Sequence, residues 1–231
     1  MKTSFLTDLL DLVVPRTCIC CSCKLTAGQA NICLSCRTQL PYTGFAANAR
    51  DNAMAQQYWG IVPMEKAAAY FYYEPLAVTG KIIHHIKYYG REDIAENFGQ
   101  AMSRDMMATG FFDGIDLLVP VPLTRIRKWH RGYNQSTAIA RGISSVTGIP
   151  LTEKAIRRVH FAASQTQLTN TERKTNVENA FRLTNPDLVS HRHLLLVDDI
   201  VTTGATTMAC ARELLKAKSV RISVLSLGFT R

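Results

Sequence analysis

Apolar residues follow two rhythms along this chain. Short, nearly unbroken apolar runs at Ala67–Tyr73, Ile115–Val119, Leu194–Val197 and Val220–Leu227 read as buried strands. Between them the apolar positions recur at helical spacing. These stretches predict helices over Pro75–Tyr88 (closed by Gly90), Ile94–Met107, Asn134–Val146 (ending near Gly148) and Ala205–Lys216. Phe5–Val14 reads as an apolar helical lead-in stopped by Pro15, and Ala155–His160 as an extended piece. Strands alternating with helices predict an α/β protein, a parallel sheet covered on both faces. Pro41–Gly60 has no clear period and reads as a junction. It divides an N-terminal cysteine-rich module, residues 1–45, from the α/β domain, residues 46–231. Phe161–Asn179 is polar and poor in breakers, which suits a loop that closes over a site and becomes helical.

Composition narrows the class. The 231 residues are 47% hydrophobic and 19% charged, which is globular rather than disordered. No run approaches the roughly 18 apolar residues of a membrane span. The opening stretch carries Asp8 and Asp11 and lacks a small-residue cleavage site, so the expectation is a cytoplasmic protein without a signal peptide.

Charge and cysteine are both concentrated. Between Pro120 and Thr175 lie Arg125, Arg127, Lys128, Arg131, Arg141, Lys154, Arg157, Arg158, Arg173 and Lys174 against Glu153 and Glu172, which is +8 of the net +9. Such a stretch is either a solvated basic face or a site for phosphate, pyrophosphate or nucleic acid. Six of the seven cysteines fall within Cys18–Cys36, as Cys18-Ile-Cys20-Cys21-Ser-Cys23 and Cys33-Leu-Ser-Cys36. Two Cys-x-x-Cys pairs can give four thiolates to one tetrahedral zinc, with Cys18/Cys21 and Cys20/Cys23 both fitting as the first pair. Without an export signal, zinc ranks above disulfides and above an iron–sulfur cluster. Cys210, alone on a helix, reads as a core thiol.

The sharpest chemistry lies at Leu194-Leu-Leu-Val-Asp198-Asp199-Ile-Val-Thr202-Thr203-Gly204-Ala205-Thr206. An apolar strand runs into two carboxylates, then a Thr/Gly loop, then a helix. Ligands in parallel sheets bind at the carboxyl ends of strands. Loop N–H groups and a helix N-terminus can hold a phosphate. Two carboxylates beside a phosphate repel it unless they bind sugar hydroxyls or flank a Mg²⁺. The segment therefore reads as a ribose 5-phosphate clamp. It has neither the P-loop nor the dinucleotide-binding glycine pattern.

Leu196–Gly204 resembles the phosphoribosyl pyrophosphate (PRPP) signature of type I phosphoribosyltransferases. The rest of the chain resembles one branch of them, the ComF/GntX family of competence-associated proteins. The resemblance is carried in order by the cysteine module, Lys87-Tyr88-Tyr89-Gly90, Val119–Pro122, Arg131-Gly132-Tyr133-Asn134-Gln135, and Gln167, Arg173 and Asn176 ahead of Ala180-Phe181. It implies the type I phosphoribosyltransferase fold with a small N-terminal zinc-ribbon-like module. It implies that Asp198 and Asp199 bind the ribose hydroxyls of PRPP and that Thr202, Thr203, Gly204, Ala205 and Thr206 wrap its 5-phosphate. Arg131 and Gly132 then lie near the pyrophosphate, Lys87 joins the PRPP-binding set, and Arg173 and Lys174 sit on the closing loop. Aligning Cys21-Ser-Cys23-Lys-Leu25 with the family's Cys-Gly-x-x-Leu implies Cys18, Cys21, Cys33 and Cys36 as ligands of a structural zinc, with Mg²⁺ accompanying PRPP.

Plainer readings stand beside these. Lys87–Gly90 also fits a helix end with a cationic last turn and a glycine cap. Arg131 also fits a residue that positions its loop by local pairing. Trp129 and Tyr133 either stack on single-stranded bases or pack. His84 and His85 have no expected role, and His191 and His193 are expected at the mouth of the last core strand by chance. Three functions fit: a Mg²⁺-dependent phosphoribosyltransferase of unassigned acceptor, a single-stranded-DNA-handling protein working with competence proteins, and a PRPP-sensing regulator.

Overall fold

A computed structural model describes residues 15–159 and 180–231. The expected lead-in helix at Phe5–Val14 and the expected closing loop at Phe161–Asn179, with Arg173 and Lys174, lie outside the described residues.

Four parallel strands form the central sheet in the order β1-β6-β5-β2. They are β1 (Ala67–Tyr72), β2 (Leu117–Pro120), β5 (His193–Val201) and β6 (Arg221–Phe229). In β5, Leu194, Leu195, Leu196 and Val197 are all fully buried, which accounts for their unbroken apolar run. Each such side chain contributes about 1.5–3 kcal/mol as an upper estimate. Leu118 also makes a parallel bridge to Leu151 beyond β2.

The helices are α1 (Leu34–Thr38), α2 (Ala53–Gln56), α3 (Val78–Tyr88), α4 (Glu92–Met106), α5 (Arg125–Arg131), α6 (Gln135–Thr147) and α7 (Ala205–Leu214). The connections β1→β2 and β5→β6 run in opposite directions along the sheet. Right-handed crossovers then place α3 and α4 on one face and α7 on the other. Helices α4 and α6 cross at Gly99 and Gly142. A Cβ at Gly142 would collide with the Glu96 carbonyl, and one at Gly99 with that of Ile139.

The reversal of direction falls between β5 and β2, so the crevice at their carboxyl ends is the switch point where ligands bind in open α/β sheets. A separate hairpin, β3 (Ile156–Arg158) with β4 (Phe181–Leu183), stands beside it. Buried Glu213 of α7 anchors that hairpin. It accepts from the Leu183 N–H at 3.3 Å and pairs with Arg182 at 3.4 Å and with Lys216.

Several expectations are corrected. Residues 41–60 are not a loose connection but pack against the sheet, which leaves the division at residue 45 as an expectation. Met54 and Tyr58 are fully buried, Phe45 stacks edge-on against Phe229, and Tyr42 bridges to Phe71 of the edge strand β1. Strand β5 does not stop at Val197. Asp198, Ile200 and Val201 remain paired with Ser226, Gly228 and Phe229 of β6, so both carboxylates sit within the strand's last turn of pleat. Helix α5 has no counterpart in the apolar pattern because Arg-Ile-Arg-Lys-Trp-His-Arg has no apolar stripe. It is started by the Thr124 hydroxyl, which accepts from the Arg127 N–H at 3.2 Å, and is closed by left-handed Gly132. His193 lies at the opposite end of β5 from the carboxylates. It is buried and linked to Ser223 Oγ at 2.8 Å and the Gly114 carbonyl at 3.0 Å, a structural staple.

Candidate functional site

Asp198 and Asp199 occupy successive positions at the carboxyl end of β5. Asp198 Oδ1 accepts from the Ser136 hydroxyl at 3.1 Å and from the Asp199 N–H at 2.9 Å. Asp199 Oδ1 accepts from the Ile200 N–H at 2.7 Å, and its Oδ2 pairs with Lys87 Nζ at 3.1 Å. Burial first, and the neighbouring Asp199 carboxylate second, push the Asp198 carboxyl up to about 7. Two acids are thus held side by side with one nearby cation, an arrangement that a metal ion or sugar hydroxyl donors would relieve.

Next comes the loop Thr202–Gly204 and the N-terminus of α7. Gly204 occupies the N-cap position with φ 70° and offers no side chain, so the first turn of α7 is uncapped by any side chain. A Cβ at Gly204 would lie 3.2 Å from Met208 Cε and 3.3 Å from Tyr58 Cε1. Asp198, Thr202, Thr203, Gly204, Ala205 and Thr206 are among the residues lining a small cavity of about 50 Å³. That is room for one small polyatomic group rather than for a whole nucleotide. Two residues that the sequence did not single out hold this loop. Gln57 donates to the Thr202 carbonyl at 2.8 Å, and the Tyr58 hydroxyl lies 2.8 Å from Thr207 Oγ1. No local signal marks them, because their partners are far along the chain. Ser136, equally unsuspected, directly follows the Arg131–Gln135 motif.

Lys87, expected in the set, reaches the site from the last turn of α3. Arg131 hydrogen-bonds Gln135 Oε1 at 2.8 Å and lies over the Tyr88 ring, 5.8 Å from its centroid, so it is tied locally beside the Lys87 turn. Gly132 has φ 79° and ends α5. Tyr133 is a packing residue, its hydroxyl donating to the Ile86 carbonyl at 2.5 Å.

The basic stretch divides in space. Arg141 pairs with Glu92 and Glu96 of α4 and leaves the cationic face. Arg125, Arg157 and Arg158 line a cleft of about 460 Å³ between the end of β2 and the β3–β4 hairpin. Beside them α5 exposes Arg127, Lys128 and, at 81% exposure, Trp129.

In the N-terminal module, the sulfurs of Cys18, Cys21, Cys33 and Cys36 all lie within 4.8 Å of one another. Four thiolates at about 2.3 Å from a central ion have sulfurs about 3.8 Å apart, so this set can hold a metal such as zinc. Burial pushes the Cys18 thiol up, but N–H groups of Cys33 and Cys20, each 3.4 Å from its sulfur, outweigh it and hold it down to about 6. Cys20 turns away toward α3, its sulfur 4.0 Å from the Val78 carbonyl, and burial pushes it up to about 12. This separates the two registers that spacing left open. Cys210 is a fully buried core thiol. Among the described residues no helix is long and apolar enough to cross a membrane.

No family model matches the chain. The DNA utilization protein YhgH of Escherichia coli is 30% identical over 223 residues, covering 92% of this chain and 96% of that protein. Competence protein F of Haemophilus influenzae is 28% identical over 226 residues, covering 91% and 96%. Among solved structures, the glutamine PRPP amidotransferase from B. subtilis overlaps 61% of this chain and 30% of its own, with 18% identity and a TM-score of 0.41. Near-complete coverage by these relatives, together with the N-terminal four-cysteine cluster, shows that the chain belongs to the ComF/GntX family of competence-associated proteins.

Proposed function

We propose that this chain binds PRPP, or a related ribose 5-phosphate, with Mg²⁺ at the carboxyl end of β5, and uses it in the cytoplasm in the handling of DNA. The observation that carries the reading is one strand end that joins paired carboxylates to an uncapped helix N-terminus. Thr202, Thr203, Gly204, Ala205 and Thr206 take the 5-phosphate through N–H groups and hydroxyls. Asp198 and Asp199 take the ribose hydroxyls. Lys87 exchanges its Asp199 partner for the pyrophosphate, which Arg131 and Gly132 flank.

Phosphoribosyl transfer breaks the bond from ribose C1 to the pyrophosphate oxygen, whose electron pair leaves with pyrophosphate. The acceptor's lone pair forms the new bond. Positive charge grows on the sugar and negative charge on the leaving group, so fixed cations lower the barrier. Mg²⁺, when bound with PRPP, supplies further charge neutralisation there. Asp198 and Asp199 suit a cation because two acids share one buried corner. The four-cysteine cluster holds a structural zinc. The names of the relatives, DNA utilization and competence, supply the biological setting.

Calorimetric titration with PRPP, with and without Mg²⁺, tests this. Mg²⁺-dependent binding that disappears in a folded Asp199→Ala variant supports it, and absence of binding to the folded wild-type protein refutes it. A second reading, single-stranded DNA binding, is favoured by exposed Trp129 among the cations of α5. It predicts salt-sensitive DNA affinity that Trp129→Ala weakens and Asp199→Ala leaves unchanged.

A further inference from the structure

The thiol cluster contains more sulfur than one tetrahedral ion can use. Three of its corners, Cys18, Cys33 and Cys36, are buried, and the fourth, Cys21, is exposed. The buried corners are held by the backbone. Cys18 accepts from the Cys20 and Cys33 N–H groups and Cys33 from the Cys36 N–H, each at 3.4 Å. The sulfur of Cys21 lies instead against other thiols, 3.6 Å from Cys33 and 3.3 Å from Cys23.

Cys23 is held in that place by the turn itself. The Ser22 N–H donates to the Cys18 carbonyl and the Cys18 N–H to the Cys23 carbonyl, both at 2.8 Å, and Ser22 is left-handed with φ 62°. The knuckle therefore presents two exposed sulfurs, from Cys21 and Cys23, to the same solvent-facing corner. A sulfur pair 3.3 Å apart is closer than the roughly 3.8 Å between two thiolates on one tetrahedral ion, so only one of the two ligates at a time while the other stays uncoordinated beside it. Cys20 does not share this position, since its sulfur faces α3.

We infer that Cys23 is an interchangeable ligand, able to take the place of Cys21 as the fourth thiolate of the metal site. The inference rests on the cluster holding a metal and is independent of PRPP binding. Its consequence is a site that keeps its ion when Cys21 is lost or blocked.

Cobalt substitution reads this directly in the full chain, because the thiolate-to-metal charge-transfer intensity counts coordinated sulfurs. Cys21→Ser, Cys23→Ser and the control Cys20→Ser are each expected to retain the four-thiolate spectrum and about one metal ion per chain. The double variant Cys21→Ser/Cys23→Ser is expected to fall to a three-thiolate spectrum and to lose metal to a chelator at least roughly tenfold faster. A Cys21→Ser spectrum matching that of the double variant overturns the inference, as does a wild-type protein that binds neither cobalt nor zinc. A second measurement needs no substitution. Limited alkylation of the zinc-loaded wild-type chain, mapped by mass spectrometry, is expected to label either Cys21 or Cys23 in a given chain. Label confined to Cys23 overturns the inference.

Discussion

Replacing Asp198 by asparagine is expected to make the ligand-free protein more stable near neutral pH, although it removes a residue of the proposed site. The Asp198 carboxyl is raised from 3.8 to about 7 by burial and by Asp199. Lys87, paired with Asp199, offsets part of this, and Arg158 contributes from the hairpin side. The folded state therefore binds a proton that the unfolded chain has released. Native stability falls as pH rises from about 4 to about 7 and is flat beyond, as far as this group is concerned. At about 1.4 kcal/mol per unit, keeping Asp198 ionised in the fold costs up to about 4 kcal/mol, and solvent at the mouth of the crevice lowers this to about 1–3 kcal/mol. Asparagine keeps the Oδ1 that accepts from Ser136 and the Asp199 N–H, so little packing is lost. Urea unfolding of both proteins is the assay. Near pH 8 the variant is expected to be more stable by about 1–3 kcal/mol, and by about pH 5.5 that advantage shrinks by half or more. A difference that does not change with pH, or a variant less stable than wild type at pH near 8, refutes the reasoning.

Other perturbations test other parts of the argument. Gly204→Ala places a Cβ at φ 70° against Met208 and Tyr58. It is expected to cost about 1–2 kcal/mol in thermal melts and to abolish the PRPP heat in calorimetry. Gly142→Ala drives a methyl into the Glu96 carbonyl where α4 and α6 cross. A loss of about 3 kcal/mol or more is expected in urea titration, because neither backbone can withdraw without breaking helix hydrogen bonds. Removing metal with a chelator is expected to open residues 15–40 to proteolysis while the far-ultraviolet signal of the sheet persists, since that module has few buried side chains besides its cysteines.

The strands and long helices were legible because burial on both faces imposes an apolar run and burial on one side imposes a helical period. The same local rules exposed the candidate site, since carboxylates, Thr/Gly loop and helix are contiguous from Asp198 to Thr206. They failed at α5, where the cationic sequence carries no stripe and a threonine cap and a glycine stop do the work. They failed at β4, three residues long, whose stability comes from Glu213 of a helix some thirty positions away.

By itself the sequence determined the parallel α/β class, the position of the carboxylate pair and the clustering of six cysteines within Cys18–Cys36, all properties set by neighbours within a few residues. Only tertiary structure decided which thiols converge, because Cys20 and Cys21 differ by the direction of a side chain and not by spacing. Only tertiary structure brought Lys87 to Asp199 and Gln57 and Tyr58 to the Thr202–Gly204 loop and the first turn of α7. It likewise drew Arg141 off the basic face through two glutamates of α4. Contacts between segments fifty to one hundred and fifty positions apart leave no periodic trace in the chain, since they depend on how strands are ordered in the sheet and how closely two helices approach.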